Sequence, residues 1–299
     1  MSTFRIYQKR DFSNFINDTV GFFKTFSKNY FLNYSIINGG LVILVSLMYF
    51  FLLKDSLANV GMKHGATALQ SNSPLFVFSG LLFFIVVVVF GVLSLAYPMA
   101  YLKSIERDAD AKITASGLFS AIKSMFGRIA LFGFISMFVM MPLFVVVVVA
   151  GVALSFVLIG IPLLVVAVPL MSTWSMQAIF VYVHEDAGYF EALGKSWKSI
   201  IRNFWPVVGS SIVILVILMV VYAIFSIIPL FATVGTIVST GQTGMSPVWV
   251  LFNLVSAVTT YYLYNVVYIH QGLVYYSSLN AEENIEAYSE IDNIGVHEG

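Results

Sequence analysis

Four side chains could do acid–base or metal chemistry: His184, Glu185 and Asp186, adjacent in the chain, and His270. A metal centre needs ligands that converge on one point, and consecutive residues rarely do so unaided. The triplet is therefore read as a helix boundary. Asp186 would cap the following helix and Glu185 would contact a Lys or Arg. His270 belongs to a stretch rich in polar and aromatic residues that includes Asn253, Ser256, Thr260, Tyr264, Asn265 and Gln271. These could line a cavity, a lateral groove or a partner interface. They could equally make hydrogen bonds between helices, with the tyrosines forming an aromatic belt. His270 would then be a structural histidine at headgroup level rather than a pH-sensitive ligand. The chain has no Cys, so thiol catalysis, disulfides and Cys-held metals are excluded. No phosphate loop, dinucleotide fingerprint or zinc motif occurs. No catalytic residue, metal ligand or cofactor site is assigned, and a net charge of zero predicts no nucleic-acid partner.

A second set of residues suits binding at a surface. Lys24 and Lys28, Arg128, and then Lys195, Trp197, Lys198, Arg202 and Trp205 mix cations with aromatics just ahead of apolar runs. Such residues anchor at the membrane interface, where they meet anionic headgroups or a partner.

The elements that must hold these groups are membrane helices. The 299 residues are 59% hydrophobic and 10% charged, with a mean hydropathy of +0.91, whereas soluble domains carry about a quarter charged residues. A span needs about 20 apolar residues. Six candidates follow: 31–53, 74–102, 129–150, 152–182, 204–228, and 248–268, which could extend to 276. A tight turn is expected near Gly151, a break or kink in the fourth span at Gly160, Pro162 and Pro169, and a Gly/Ser/Thr loop over 229–247. Gly39, Gly40, Gly209, Ser210 and Ser211 would let helices approach closely. No Asp, Glu, Lys or Arg lies between Arg128 and Glu185 or between Arg202 and Glu282. That weighs against a carboxylate relay or an intramembrane protease. Thirteen of the 15 Lys and Arg residues fall on one side of these spans; the exceptions are Lys54 and Lys63. Positive segments stay in the cytoplasm, so both termini of the multi-pass chain are expected there. No cleavable signal peptide is recognised, and the N-terminus is expected to be retained.

The segments ahead of spans one, three and five resemble one another. FFKTFSKNYF (22–31) aligns with SWKSIIRNFW (196–205), pairing Lys24 with Lys198, Lys28 with Arg202 and Phe31 with Trp205. LFSAIKSMFGRIALFG (118–133) matches more loosely, with Phe126 on Trp197. Each copy has helical periodicity. The predicted fold is all-α and integral to the membrane: six spans as three hairpins, each preceded by a cytoplasmic interfacial amphipathic helix. The repeat units are about 10–102, 114–182 and 187–278. They form a single membrane domain over 1–280, followed by an acidic cytoplasmic tail over 281–299.

The segment VHEDAGYFEALGKSWKSIIRNFWPVVG (183–209) resembles part of the membrane domain attached to some bacterial glycerophosphoryl diester phosphodiesterases, and of stand-alone six-span proteins related to it. The residues that carry the likeness are Glu185, Gly188, Ala192, Leu193, Ser196, Trp197, Arg202 and Trp205. HQGLVYYSSLNAEE (270–283) is similar to that family's last span. The resemblance implies a topology without the catalytic domain. The functional expectation is a non-enzymatic scaffold or accessory subunit of a larger membrane complex, such as a protein-export or envelope-assembly machine, in contact with membrane lipids. The alternatives are a facilitator of lipid or hydrophobic-solute movement and, less favoured, a lipid-modifying enzyme.

Overall fold

The computed structural model describes residues 4–60, 74–108, 113–240 and 247–283. The secondary structure among them is helical: α1 (Phe12–Val60), α2 (Pro74–Arg107), α3 (Ala115–Ser155), α4 (Gly160–His184), α5 (Tyr189–Arg202), α6 (Phe204–Thr240) and α7 (Pro247–Glu283). Among the described residues, five stretches are long and apolar enough to cross a membrane: Phe12–Met48, Phe78–Arg107, Ala115–Ser155, Gly160–His184 and Phe204–Ile227. The protein is an all-helical, multi-pass membrane protein. α7 has 37 residues, about 55 Å at 1.5 Å per residue. It is long enough to cross, but its Asn, Thr, Tyr, His and Gln content keeps it out of that set.

Two of the three expected interfacial helices do not exist as separate elements. The amphipathic segment holding Lys24 and Lys28 is continuous with the apolar run after it in the 49 residues of α1. The segment holding Arg128 is likewise continuous with the run after it in the 41 residues of α3. Only the last copy is a separate helix, α5, which stops at Asn203 (φ −124°, ψ 44°) before α6 begins. Pro206 explains the difference. A proline lacks the N–H that would bond back four residues, and its ring clashes with that residue's carbonyl. In the alignment above, Leu32 and Ile135 stand where Pro206 does, and both continue a helix.

The turn expected near Gly151 comes later, at Phe156–Ile159, with Leu158 at φ 64°. Gly151 lies inside α3. Gly160 and Pro162 do not break a span. They open α4, where a missing N–H is not needed. Pro169 sits inside α4 without ending it, as Pro98 and Pro142 sit inside α2 and α3. Gly160 is required: a Cβ there would lie 1.9 Å from the Gly151 carbonyl oxygen. The loop expected from residue 229 is helical as far as Thr240. Lys63 and the acidic tail beyond Glu283 lie outside the described residues.

Contacts group the chain into two compact units. One comprises Met1–Phe31, Leu95–Val216 and Asn265–Gly299; the other comprises Leu32–Ser94 and Ile217–Tyr264. The first holds α3, α4 and α5 entire, and α3 and α4 pack along each other. Its core includes Phe15, Ile200, Val207, Val208 and Val274. α7 meets α2 where Gly272 leaves no room for a side chain, since an added Cβ would fall 2.1 Å from Leu102 Cδ1. In the second unit Tyr34 packs edge-on against Tyr262 at 5.1 Å, and Ser35 bonds the Tyr262 hydroxyl at 2.7 Å.

Candidate functional site

α5 has three faces. Successive residues turn by about 100°. Tyr189, Ala192, Leu193, Ser196 and Ile200 point into the protein and are buried. About a third of a turn away, Phe190, Trp197 and Ile201 are exposed at 71%, 39% and 49%. The remaining third carries Glu191, Lys195, Lys198 and Arg202, all exposed. Sequence periodicity places Leu193 and Ile200 on one stripe with Trp197 and Ile201. The structure splits that stripe, sending the first pair into the core and the second outward. Trp205, at the start of α6, extends the exposed apolar face. Gly188, not Asp186, caps α5. The Glu191 carboxylate accepts from the Gly188 N–H at 3.3 Å. Asp186 instead takes a positive φ of 53° and pairs with Arg128.

The proposed surface cations fare differently. Lys24 and Lys28 are exposed on α1. Arg128 is committed to the protein: it pairs with Asp186, donates to the Tyr182 and Ala187 carbonyls and sits 4.7 Å from the Tyr182 ring. Lys195 bridges Glu185 at 3.2 Å and Glu191 at 3.1 Å. Its ammonium is held above the usual lysine value by the hydrogen bond to Glu191 and then by that to Glu185. Glu191 is held below the usual carboxylate value, mainly by Lys195 and then by the Gly188 N–H. Lys24, Lys28, Lys195, Lys198, Arg202, Trp197 and Trp205 are all exposed, and Arg128 alone of the set is half-buried.

His184, Glu185 and Asp186 go to three different places. The His184 ring stacks on Phe180 at 5.6 Å and lies 5.4 Å from Tyr275; its Nε2 is buried without a hydrogen-bond partner. Glu185 accepts from Tyr275 as well as Lys195. A second carboxylate, Glu106 at the end of α2, accepts from Tyr276 at 2.9 Å and from Tyr7. The paired tyrosines of α7 are thus tied to the ends of α4 and α2 through one acid each. Arg10 fastens the segment before α1. Its side chain is fully buried, pairs with Asp18 at 2.8 Å and donates to the Ile6 and Arg5 carbonyls, while its backbone N–H donates to Ser277.

The polar residues proposed on α7 are divided between the two units. Asn253, Ser256, Thr260 and Tyr264 belong to the second unit. Thr260 donates back to the Ser256 carbonyl at 2.8 Å, and Tyr264 is half exposed. Asn265 and His270 belong to the first unit. Asn265 is buried and accepts from the Tyr30 hydroxyl at 2.7 Å.

His270 is enclosed by the protein. It is 0% exposed, at the centre of a polar network drawn from four helices. Its Nδ1 lies 3.2 Å from Thr19 Oγ1 of α1, and its Nε2 lies 3.4 and 3.3 Å from the hydroxyls of Ser210 and Ser211 of α6. Gln271 donates to Ser211 at 3.1 Å and to Thr173 of α4 at 3.2 Å. Gln177 of α4 donates to the Gln271 backbone carbonyl at 2.8 Å and to its Oε1 at 3.2 Å. Thr19, Ser210 and Ser211 can also return their hydrogens to carbonyls of their own helices. An uncharged imidazole carries one N–H. The network closes if Nδ1–H donates to Thr19 and Ser210 turns its hydrogen to Nε2. The network holds no formally charged member, and its groups are paired with one another, which removes most of the desolvation penalty.

No family model, curated protein or solved structure matches this chain. The site rests on its own geometry.

Thr19, Thr173, Gln177 and Arg10 were not singled out as site residues. Thr173 and Gln177 did leave a signal: two polar side chains four apart in the apolar α4, which must share a face and find partners. Ser210 and Ser211, small residues suited to close helix approach, are also hydrogen-bonding members of the network.

Proposed function

We propose that the protein is a non-enzymatic, six-span scaffold or accessory subunit of a larger membrane complex in the bacterial inner membrane. α7 is the sixth span, and both termini lie in the cytoplasm. The observation that carries this reading is the three-faced α5. A helix with one face on its own protein, one apolar aromatic face and one charged face is suited to the boundary between acyl chains, headgroups and water. It presents Lys198 and Arg202 there to headgroups or to a partner's acidic surface. The polarity of α7 does not oppose a sixth span, because Asn265, His270 and Gln271 find their partners inside the protein. The lopsided Lys/Arg placement supports the orientation. The three-hairpin pseudo-repeat and the resemblance to the phosphodiesterase-associated membrane domain belong to the same proposal.

A scaffold must hold its shape, and a four-helix polar network with its hydrogen bonds spent internally favours one fixed packing. Affinity isolation in mild detergent tests the reading. Stoichiometric recovery with other membrane proteins, reduced by Lys198→Glu/Arg202→Glu, supports it. A second reading, a facilitator of lipid movement, is favoured by an open lateral groove between α3 and α4. It predicts lipid exchange by the purified protein alone.

A further inference from the structure

The groove between α3 and α4 is open on one side and offers about 370 Å³, near the lower end of small-molecule sites at about 300–1,000 Å³. Its walls are methionine-rich: Met137, Met140 and Met141 from α3 and Met171 from α4, with Phe144 beside them. Methionine is unbranched and flexible, and it moulds to irregular apolar shapes. Other outward faces, such as Val216 and Val220 on α6, carry stiff branched residues. The two serines of α4 that border the groove return their hydroxyls to their own helix at Val168 and Met171, so that wall is effectively apolar.

One polar feature remains. Ser136, one turn from Met140 on the same face of α3, lies 3.0 Å from the Tyr189 hydroxyl. Two hydroxyls bring two hydrogens, and their mutual bond uses one. The other has no acceptor among the described residues, although Tyr189 is only 8% exposed. The pair is part-buried at the edge of the groove, so its spare hydrogen is placed to meet an acceptor entering from the groove. That acceptor must sit at the head of an apolar body, on the side of the groove nearer Arg128 and α5.

We propose that the groove seats one acyl chain of a membrane phospholipid, with the ester carbonyl at the head of that chain accepting the spare hydroxyl hydrogen of the Ser136–Tyr189 pair. The ester carbonyl is the acceptor that a diacyl lipid carries at the top of its hydrocarbon. The seat stands apart from the scaffold reading: a scaffold could hold a resident lipid, and a lipid seat requires no partner complex.

The test uses the full chain in nanodiscs containing a phosphatidylethanolamine with a diazirine in one acyl chain, followed by photolysis and peptide mapping. The seat predicts labelling of 137–144 and Met171 several-fold above the 216–220 face of α6. Met140→Phe/Met171→Phe should fill the groove and remove that excess while leaving the α6 signal unchanged. A dialkyl ether analogue, which lacks the ester carbonyl, should label the wild-type groove roughly fivefold less, as expected for one hydrogen bond of about 1 kcal/mol. This arm needs no variant and so does not depend on whether the filled groove folds. Equal labelling of the two faces, or equal labelling by ester and ether lipids, overturns the proposal and leaves only the ordinary lipid annulus.

Discussion

Gln177 and Gln271 make the most quantitative test of the buried network. Gln271→Met keeps the volume close and removes the amide. Thr173 and Ser211 then lose a donor but keep their bond to each other at 3.1 Å. Gln177 keeps the Gln271 backbone carbonyl and loses Oε1, which leaves one buried N–H without an acceptor. Polar contacts between membrane helices average about 0.6 kcal/mol and reach about 1.7, and an orphaned buried donor adds about 1 kcal/mol or more. Gln271→Met should therefore destabilise by about 2 kcal/mol. Gln177→Met leaves acceptors unfilled rather than a donor, and a carbonyl with a second lone pair tolerates that better; about 1 kcal/mol is expected. The amide–amide bond is lost in both single variants, and the double variant no longer strands the N–H. It should therefore cost about 0.5–1 kcal/mol less than the sum. The assay is equilibrium unfolding by SDS titration in mixed micelles, followed by tryptophan fluorescence. Strict additivity within about 0.3 kcal/mol, or a neutral Gln271→Met, would refute the argument that these groups act as one network.

Four further outcomes follow from the geometry. Pro206→Leu should let α5 run into α6, as the Leu32 and Ile135 segments do, and slow hydrogen exchange at residues 204–207. Unchanged exchange would mean that something other than the proline ends α5. Arg10→Met should cost about 2 kcal/mol, because it strips two backbone carbonyls and Asp18 of a buried donor, and should release residues 4–11 to protease; continued protection would contradict its role as a fastener. Single-tryptophan proteins with Trp197 or Trp205 should be quenched by lipids brominated near the headgroup and little by lipids brominated deep in the chain, whereas equal or deeper quenching would contradict the interfacial placement of α5. Glu191 has a folded pKa below its unfolded value, so its contribution is present above the ordinary glutamate range and lost as pH falls below that range through the lower folded value. Protection of the Gly188 amide relative to its intrinsic exchange rate should fall on acidification, and Glu191→Gln should flatten that response.

Much of this architecture could be read from the amino-acid sequence, because hydropathy is local. The apolar runs at 74–102, 129–150 and 204–228 announce themselves, and Pro206 marks the one place where an amphipathic segment separates from its span. The turn after Ser155 cannot be located from hydropathy, because its neighbourhood is uniformly apolar. Gly151 and Gly160 are both turn-like, and only the close approach of Gly160 to the Gly151 carbonyl distinguishes them. The buried network was hidden for a different reason. Thr19 and His270 lie 251 positions apart, and no periodicity within one helix reports which partner waits on another. Arg10 resembles an ordinary surface cation until the carbonyls it reaches are known. The α5 stripe was recognisable as amphipathic, but its division into protein-facing and outward halves depends on packing against the rest of the fold.

The proposed scaffold role requires the protein to hold on to other membrane proteins. Its most direct test is affinity isolation of the full chain in mild detergent, with the native mass and composition of the product measured. The account predicts a stoichiometric assembly with other membrane proteins that Lys198→Glu/Arg202→Glu weakens. A product that remains the chain and lipid alone, across detergents and after cross-linking in the intact membrane, would contradict it.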